Sequence, residues 1–574
     1  MQVRPTSWRV ATMLLSSAAI ACAQSTGSSD DVIVRGPLGA RADSFLTRAA
    51  LHGLSGAIVV AHHGQIVLEK GYGLAERSRG TTVEPTTPFF VGSLAKQFTA
   101  AAVLRLAADG RLRLDDSLGA FFPAVPIEKR GITVRHLLSH TSGLPYLPTS
   151  GLFGGGSRDS VMQEMLAEPV LFPPGERYEY STPGYILLAG IIERASGETY
   201  EKYLRALFER ANLRRTGFVG ERTRWSASPV RSYSDGSAED LLEDVPALPR
   251  FVGAGSIVST VGDLYRWYEA LLHGVVLPDV QRDLLFAPVV RVRPNMQEAL
   301  TWLLIDLPTG PLRQAAGDIG GFNAEVRHYV DEDLIVVFAS NARVRGRGYR
   351  EIVPNYVARM SRAEAVPFPP EIANVPESRM RSMPGTYTLA NGGTLTMWTA
   401  GDSLMVGARD SAGISALAAQ DSATLSRAGQ FTAQAARFLD GLHHDDDSRS
   451  FLHASIPTDA RVMFIARIRS LLGEAAGAKV TLLGTSIDSP TGARTWVKVA
   501  RDSTDEIFAL VWSGGRVIGM EPGGRAAYPL RLRSEGTDMV TSFDLFTGHL
   551  VRVELVSDRE LEIESNGVRV RADR

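Results

Sequence analysis

The chain has 574 residues, 44% hydrophobic and 22% charged, an ordinary globular composition with material for about two to four domains. Its 61 basic and 63 acidic residues leave a net charge of −2, which excludes the strongly basic field of a nucleic-acid-binding surface. The single cysteine, Cys22, excludes an intramolecular disulfide.

At the N-terminus, Arg4 and Arg9 precede an apolar stretch, Val10–Ala23, which gives way to polar QSTGSSD. A charged start, a short apolar run and small residues at Ala21 and Ala23 predict a secretory signal over residues 1–23 and an exported protein, periplasmic or extracellular. Cys22 leaves a lipid anchor open as well, although Ala19 stands where such signals usually carry leucine. No other segment is long and apolar enough to span a bilayer, so the mature chain is expected to have no transmembrane span. Residues 24–42, rich in Ser, Gly and Asp, read as a flexible leader. Ala57–His63 and Gln65–Gly71 read as strands joined at Gly64 in a hairpin.

The segment FVGSLAKQFTA, Phe90–Ala100, opens a helix predicted to stop at Gly110. It sets Ser93 one turn before Lys96. Positions i and i+3 share a helix face, so the amine can take the hydroxyl proton if burial suppresses its charge. The spacing alone is common, and most instances are a cap or a solvated lysine. In FPPGERYEYSTPGY, Phe172–Tyr185, a Pro-Pro-Gly turn leads to Tyr180. A tyrosine beside a cation such as Lys96 can work as a general base or acid; taken alone it reads as a packed helix entry. Helices are expected at Gly184–Gly197 and Ser259–Gly274, the second capped by Thr260 with Asp263. Strands return at Asn323–Val330 and Asp333–Ser340, and a helix near Tyr349–Met360 closes a domain over residues 43–363. Short hairpins predict an antiparallel sheet.

Beyond a Pro-rich linker, 364–377, the pattern becomes short strands over 378–427, helices over 428–475 and strands again from 479. This predicts a β-rich domain from 378–427 with 525–574, and an α+β insertion or separate small domain over 428–524. Trp398, Trp496 and Trp512 are expected in the cores of this region.

Taken together, these motifs resemble the serine β-lactamase and penicillin-binding-protein superfamily, nearest to class C β-lactamases and related esterases and D-amino peptidases. The resemblance rests on Ser93-Leu94-Ala95-Lys96, on Tyr180-Ser181-Thr182 where the family has Tyr-x-Asn, and on two landmarks, HLLSHTSGL (His136–Leu144) and GAGSIVSTVGDL (Gly253–Leu264). It implies an α/β (α+β) fold: an antiparallel sheet flanked by helices plus a mostly helical subdomain. It also implies catalysis by Ser93, Lys96 and Tyr180, an oxyanion hole from the backbone N–H groups of Ser93 and Asp318, and substrate contacts at Thr182 and Gly317. Two departures stand out: Thr182 replaces the asparagine, and in AAGDIGGF, Ala315–Phe322, Ala315 stands where the third motif carries a cation. Loss of both groups argues against β-lactams and peptide C-termini and suits an esterase-like substrate without that carboxylate, with Arg313 as a replacement cation.

No cofactor or metal is expected. HHDDD, His443–Asp447, reads as a solvated loop, and His136 with His140 lacks a third ligand, so His140 is expected to shape its loop. The reading is an exported serine hydrolase acting on a small-molecule or peptide-like acyl substrate. Its rivals are a cell-wall D,D-peptidase, D-aminopeptidase or β-lactamase, and a catalytically degenerate binding protein.

Overall fold

The computed structural model describes residues 32–574 apart from short interior stretches, the longest being 222–229, 240–248 and 373–380. The expected signal segment, Cys22 and the His443–Asp447 cluster lie outside the described residues, as does much of the 220–250 loop.

Nine strands form one antiparallel sheet: β1 (Ile33–Val34), β2 (Gly56–His62), β3 (Gln65–Tyr72), β4 (Val290–Arg293), β5 (Met296–Glu298), β6 (Leu303–Leu307), β7 (Gly310–Ile319), β8 (Phe322–Tyr329) and β9 (Leu334–Ser340). Their spatial order is β1-β3-β2-β9-β8-β7-β6-β5-β4, so β2 from the start of the chain pairs directly with β9. Side chains alternate across a strand, and both faces here are covered. Ala57, Val59 and Ala61 join the core of the helical side, whereas Ile58 and Val60 join a second core. That second core lies under α1 (Gly36–Leu51) and the closing helix Val353–Ser361. On the helical side, α2 (Lys96–Ala108) packs against α3 (Thr182–Ser196), and α4 (Val261–Leu272) runs behind the sheet.

Two expectations need correction. Residues 33–42 are structured: β1 pairs with β3, and α1 buries Ala42, Phe45 and Leu46 on the sheet. The Ser, Gly and Asp residues that suggested a leader fall mostly before residue 32, outside the described residues, whereas α1 carries apolar residues at helical spacing that the sheet buries. The Pro-rich stretch after Met360 is docked where it is described. Phe368 meets the Phe45 ring edge-on at 5.5 Å, and His52 Nε2 lies 3.2 Å from the Pro370 carbonyl oxygen.

Eight strands drawn from 385–408 and 527–573 close an antiparallel barrel, shut by Thr388↔Asp573 and Leu389↔Ala572. The strands of the first segment stop at Ala408, earlier than their composition suggested. Helix Ser411–Ala418 follows and buries Ile414 and Leu417 in the barrel core. A separate four-stranded sheet, Lys479–Gly524, packs helices Ser422–Gly441 and Ala460–Leu472 around Trp512. Trp496 and Trp512 are core residues; Trp398 is half-buried.

Candidate active site

Ser93 sits on a short 3-10 turn, Gly92–Ala95, that runs directly into α2. Gly92 has φ +52°, a conformation that glycine tolerates without strain, and a Cβ there would lie 2.9 Å from the Asp318 carbonyl oxygen. The turn sets Ser93 Oγ 3.1 Å from Lys96 Nζ. Ser93 keeps partial access to solvent, whereas Lys96 is 2% exposed and donates to the Ala254 carbonyl oxygen at 3.0 Å. Burial pulls the Lys96 amine down from its ordinary 10.5 to about 7. Ala254 belongs to the GAGSIVS landmark, which is locked to α2 by a 2.7 Å bond from Thr99 Oγ1 to the Gly253 carbonyl oxygen.

Tyr180 reaches the same point from the entry to α3. Its hydroxyl shares a hydrogen bond with Ser93, and Lys96 Nζ lies 4.9 Å from its ring centroid. His140 holds Tyr180 from behind. Its ring stacks on Tyr180 at 4.3 Å, its Nδ1 accepts the Ser181 N–H at 3.0 Å and its carbonyl accepts the Glu179 N–H at 2.9 Å. His140 adopts φ +57°, so its expected loop-shaping role has a concrete form: it fixes the residues on both sides of Tyr180. Burial keeps its imidazole neutral. His136 Nδ1 accepts the Thr133 N–H, and no group of three His, Cys, Asp or Glu among the described residues is placed to hold a metal ion.

One expectation about Tyr180 fails. A neighbouring cation should lower its pKa, yet burial pushes it up. The reason is that Lys96 is too deeply buried to be a dependable cation, so the tyrosine stays a phenol.

The third wall is β7. Gly317 passes so close to the serine turn that a Cβ there would lie 2.0 Å from the Val91 carbonyl oxygen, 2.4 Å from the Leu94 nitrogen and 2.7 Å from the Ser93 nitrogen. Ala315, 5% exposed, leaves the strand without a cation at its position. Arg313 does not substitute: its guanidinium lies 4.9 Å from the Phe286 ring centroid and hydrogen-bonds Tyr268. The charge lies one residue beyond the glycine instead. The Asp318 carboxylate accepts from Arg343 Nη2 at 2.6 Å and from Arg350 Nε at 2.8 Å.

The geometry thus gathers Ser93, Lys96, Tyr180, Gly317 and Asp318. Thr182 is the first residue of α3, 6% exposed, and its N–H donates to the Tyr146 carbonyl oxygen at 3.0 Å. Ser181 is the helix cap, its Oγ accepting the Gly184 N–H. Tyr146, 46% exposed, lies at the mouth with its ring 5.6 Å from that of Tyr180. Sequence reasoning missed two features. Arg343 and Arg350 were signalled only by the arginine-rich run RVRGRGYR after β9. Glu298, 3% exposed, accepts from the Tyr178 hydroxyl at 3.5 Å, and burial pushes it up to about 8; nothing around it in sequence marks it.

The chain is similar in sequence and in fold to known proteins. The family model described as Beta-lactamase matches residues 44–428. Penicillin-binding protein 4* of Bacillus subtilis is 29% identical over 323 residues, 52% of this chain and 70% of that protein. The putative penicillin-binding protein PbpX of the same organism is 30% identical over 239 residues, 41% of this chain and 59% of that protein. The octameric penicillin-binding protein homologue from Pyrococcus abyssi superposes over 93% of this chain and 99% of its own, with TM-score 0.50 and 16% identity. D-amino acid amidase from Ochrobactrum anthropi superposes over 57% of this chain and 99% of its own, with TM-score 0.50 and 21% identity. These two structural matches speak to fold alone.

Proposed function

Because the chain belongs to the β-lactamase family, we propose that it is an exported serine hydrolase that cleaves a small ester or amide through an acyl-enzyme on Ser93. The observation that carries this reading is Ser93 Oγ at 3.1 Å from a lysine amine whose pKa burial brings to about 7. At neutral pH a large share of that amine is unprotonated and able to take the hydroxyl proton.

The steps follow from the geometry. Lys96 takes the Ser93 proton as Oγ bonds to the acyl carbon. The carbonyl oxygen becomes an oxyanion facing the N–H groups of Ser93 and Asp318, which Gly317 allows to lie side by side. The Tyr180 hydroxyl gives its proton to the leaving group as the bond to the acyl carbon breaks, and Lys96 restores that proton. Water then enters in the same way, its proton passing to the Lys96–Tyr180 pair while the acyl–Oγ bond breaks and Ser93 is reprotonated.

Charge near the mouth supports a substrate without a carboxylate. Arg343 and Arg350, the arginines that reach Asp318, are both paired with its carboxylate, and Arg313 on the same strand is turned toward Phe286 and Tyr268. Export rests on the N-terminal signal pattern, and no helix among the described residues is long and apolar enough to cross a membrane.

The test is intact-mass detection of a fluorophosphonate adduct on wild type and on Ser93→Ala. One adduct on wild type and none on the variant supports the reading. No adduct on either would sink it.

A further inference from the structure

The barrel touches the catalytic unit through the turn between strands Met539–Asp544 and His549–Ser557. The Phe546 ring stacks on Tyr349 with centroids 5.8 Å apart and planes at 20°, and Arg347 Cζ lies 4.1 Å from the centroid of the same ring. The Leu545 carbonyl oxygen accepts the Tyr356 hydroxyl at 2.8 Å, and Phe543 and Leu545 enter the core beneath α1. The next residue after Tyr349 is Arg350, whose guanidinium holds the Asp318 carboxylate and whose N–H donates to Asn323 Oδ1 at 3.1 Å. Asn323 is the cross-strand partner of Asp318. A short, continuous line of contacts therefore runs from a turn of the C-terminal barrel to the strand that walls the serine.

We infer that Phe546 is a positioning residue for catalysis: through Tyr349 and Arg350 the barrel turn fixes Asp318, and with it the backbone N–H that faces the oxyanion. The inference rests on the serine-hydrolase reading for its kinetic consequence, though the mechanical link stands on the contacts alone. The 347–351 segment pairs locally with Arg343 and Val344, and Gly348 N–H donates to Glu351 Oε1 at 3.3 Å; the Phe546 ring braces it from the barrel side through Tyr349 and Arg347 together. Gly348 contributes no side chain, and the Arg347–Glu351 ion pair is local and partly exposed. Removing the Phe546 ring takes away the surface on which Tyr349 and Arg347 pack, so the turn that carries Arg350 can relax, and a small displacement of an oxyanion donor is costly to the transition state but nearly silent in substrate binding.

The experiment uses the full chain and a neutral p-nitrophenyl ester. Phe546→Ala is expected to lower kcat roughly tenfold with KM nearly unchanged, and Phe546→Tyr to restore it. Tyr356→Phe, which removes only the hydroxyl bonded to Leu545, is expected to move kcat in the same direction by a smaller factor. In an Asp318→Asn background the Phe546→Ala effect should shrink to about twofold or less, because the two act in series. A full, multiplicative effect in that background would overturn the inference, as would wild-type kcat in a folded Phe546→Ala. Amide hydrogen exchange over Gly317–Phe322 gives a readout independent of turnover: faster exchange in Phe546→Ala supports the link, and unchanged exchange refutes it. If wild type neither labels at Ser93 nor turns over ester, the functional reading fails, and the exchange result still decides the mechanical one.

Discussion

Lys96 Nζ lies 3.0 Å from the carbonyl oxygen of Ala254, so the buried amine is held by a dipole where a structural lysine would normally have a carboxylate. That pairing orients the nitrogen toward Ser93 without restoring its charge. Acylation of Ser93 should therefore rise with pH through an apparent pKa near 7, as the amine loses its proton. Lys96→Arg, which cannot deprotonate, should lower the acylation rate by about 10²–10⁴-fold. Stopped-flow acylation at pH 5.5 to 9 measures both. A flat profile would show that another group takes the proton.

The same burial has a cost in stability. The folded pKa lies below the unfolded 10.5, so the unfolded chain binds more protons between about pH 7 and 10.5, and this group's contribution improves as pH rises through that window. Lys96→Met should raise the thermal midpoint at pH 6 and lose that advantage by pH 10. Calorimetry at the two pH values decides. A midpoint unchanged or lower at pH 6 would mean that the amine is not desolvated.

Tyr180 is kept a phenol by burial, which makes it a proton donor to the leaving group. Tyr180→Phe should cost alkyl esters and amides, whose leaving groups need a proton, about 10²-fold or more, and p-nitrophenyl esters roughly tenfold less than that. Equal losses on both substrate types would remove the tyrosine from that step.

Gly317→Ala puts a methyl where backbone atoms of Val91 and Leu94 already stand. Because neither neighbour is a flexible side chain, β7 must retreat from the serine turn. The expected loss in kcat is about 10²–10³-fold with the circular dichroism spectrum retained. Near wild-type turnover would place the oxyanion elsewhere.

Glu298, pushed up to about 8 by burial, is protonated at neutral pH. Its folded pKa exceeds the unfolded value, so its stabilising contribution is full below about pH 4.5 and is lost as pH rises through 8. Glu298→Gln keeps the neutral shape against Tyr178 and should flatten the decline in thermal midpoint between pH 6 and 9. A wild-type decline retained in the variant would assign it to other groups.

Local signals in the sequence proved readable because their physics is local. Thr260 caps α4 by accepting the Asp263 N–H, and Gly197 ends α3 in the left-handed region. The spacing of Ser93 and Lys96 needed only one helical turn. What escaped was non-local. Asp318 and Arg350 are 32 positions apart, and no periodicity announces that they meet. The ordered helix at Gly36 was hidden because it opens on Gly36, Pro37 and Gly39, weak helix formers, and is secured by burial of Phe45 and Leu46 on the sheet, a non-local contact. The pKa of Tyr180 was misjudged because burial, which outweighs the nearby amine, is a property of the assembled core.

Barrel closure bears on when activity can appear. Strand Gly385–Leu389 meets strand Val568–Asp573 only after everything between them has been made, so the turn that carries Phe546 cannot settle during early synthesis. The catalytic unit has its own long-range partner, β2 with β9, and can collapse sooner. A nascent chain would then hold Ser93 and Lys96 in contact while the oxyanion strand still lacked its brace. Competence as a hydrolase would arrive as a late folding event, separated in time from the formation of the nucleophile.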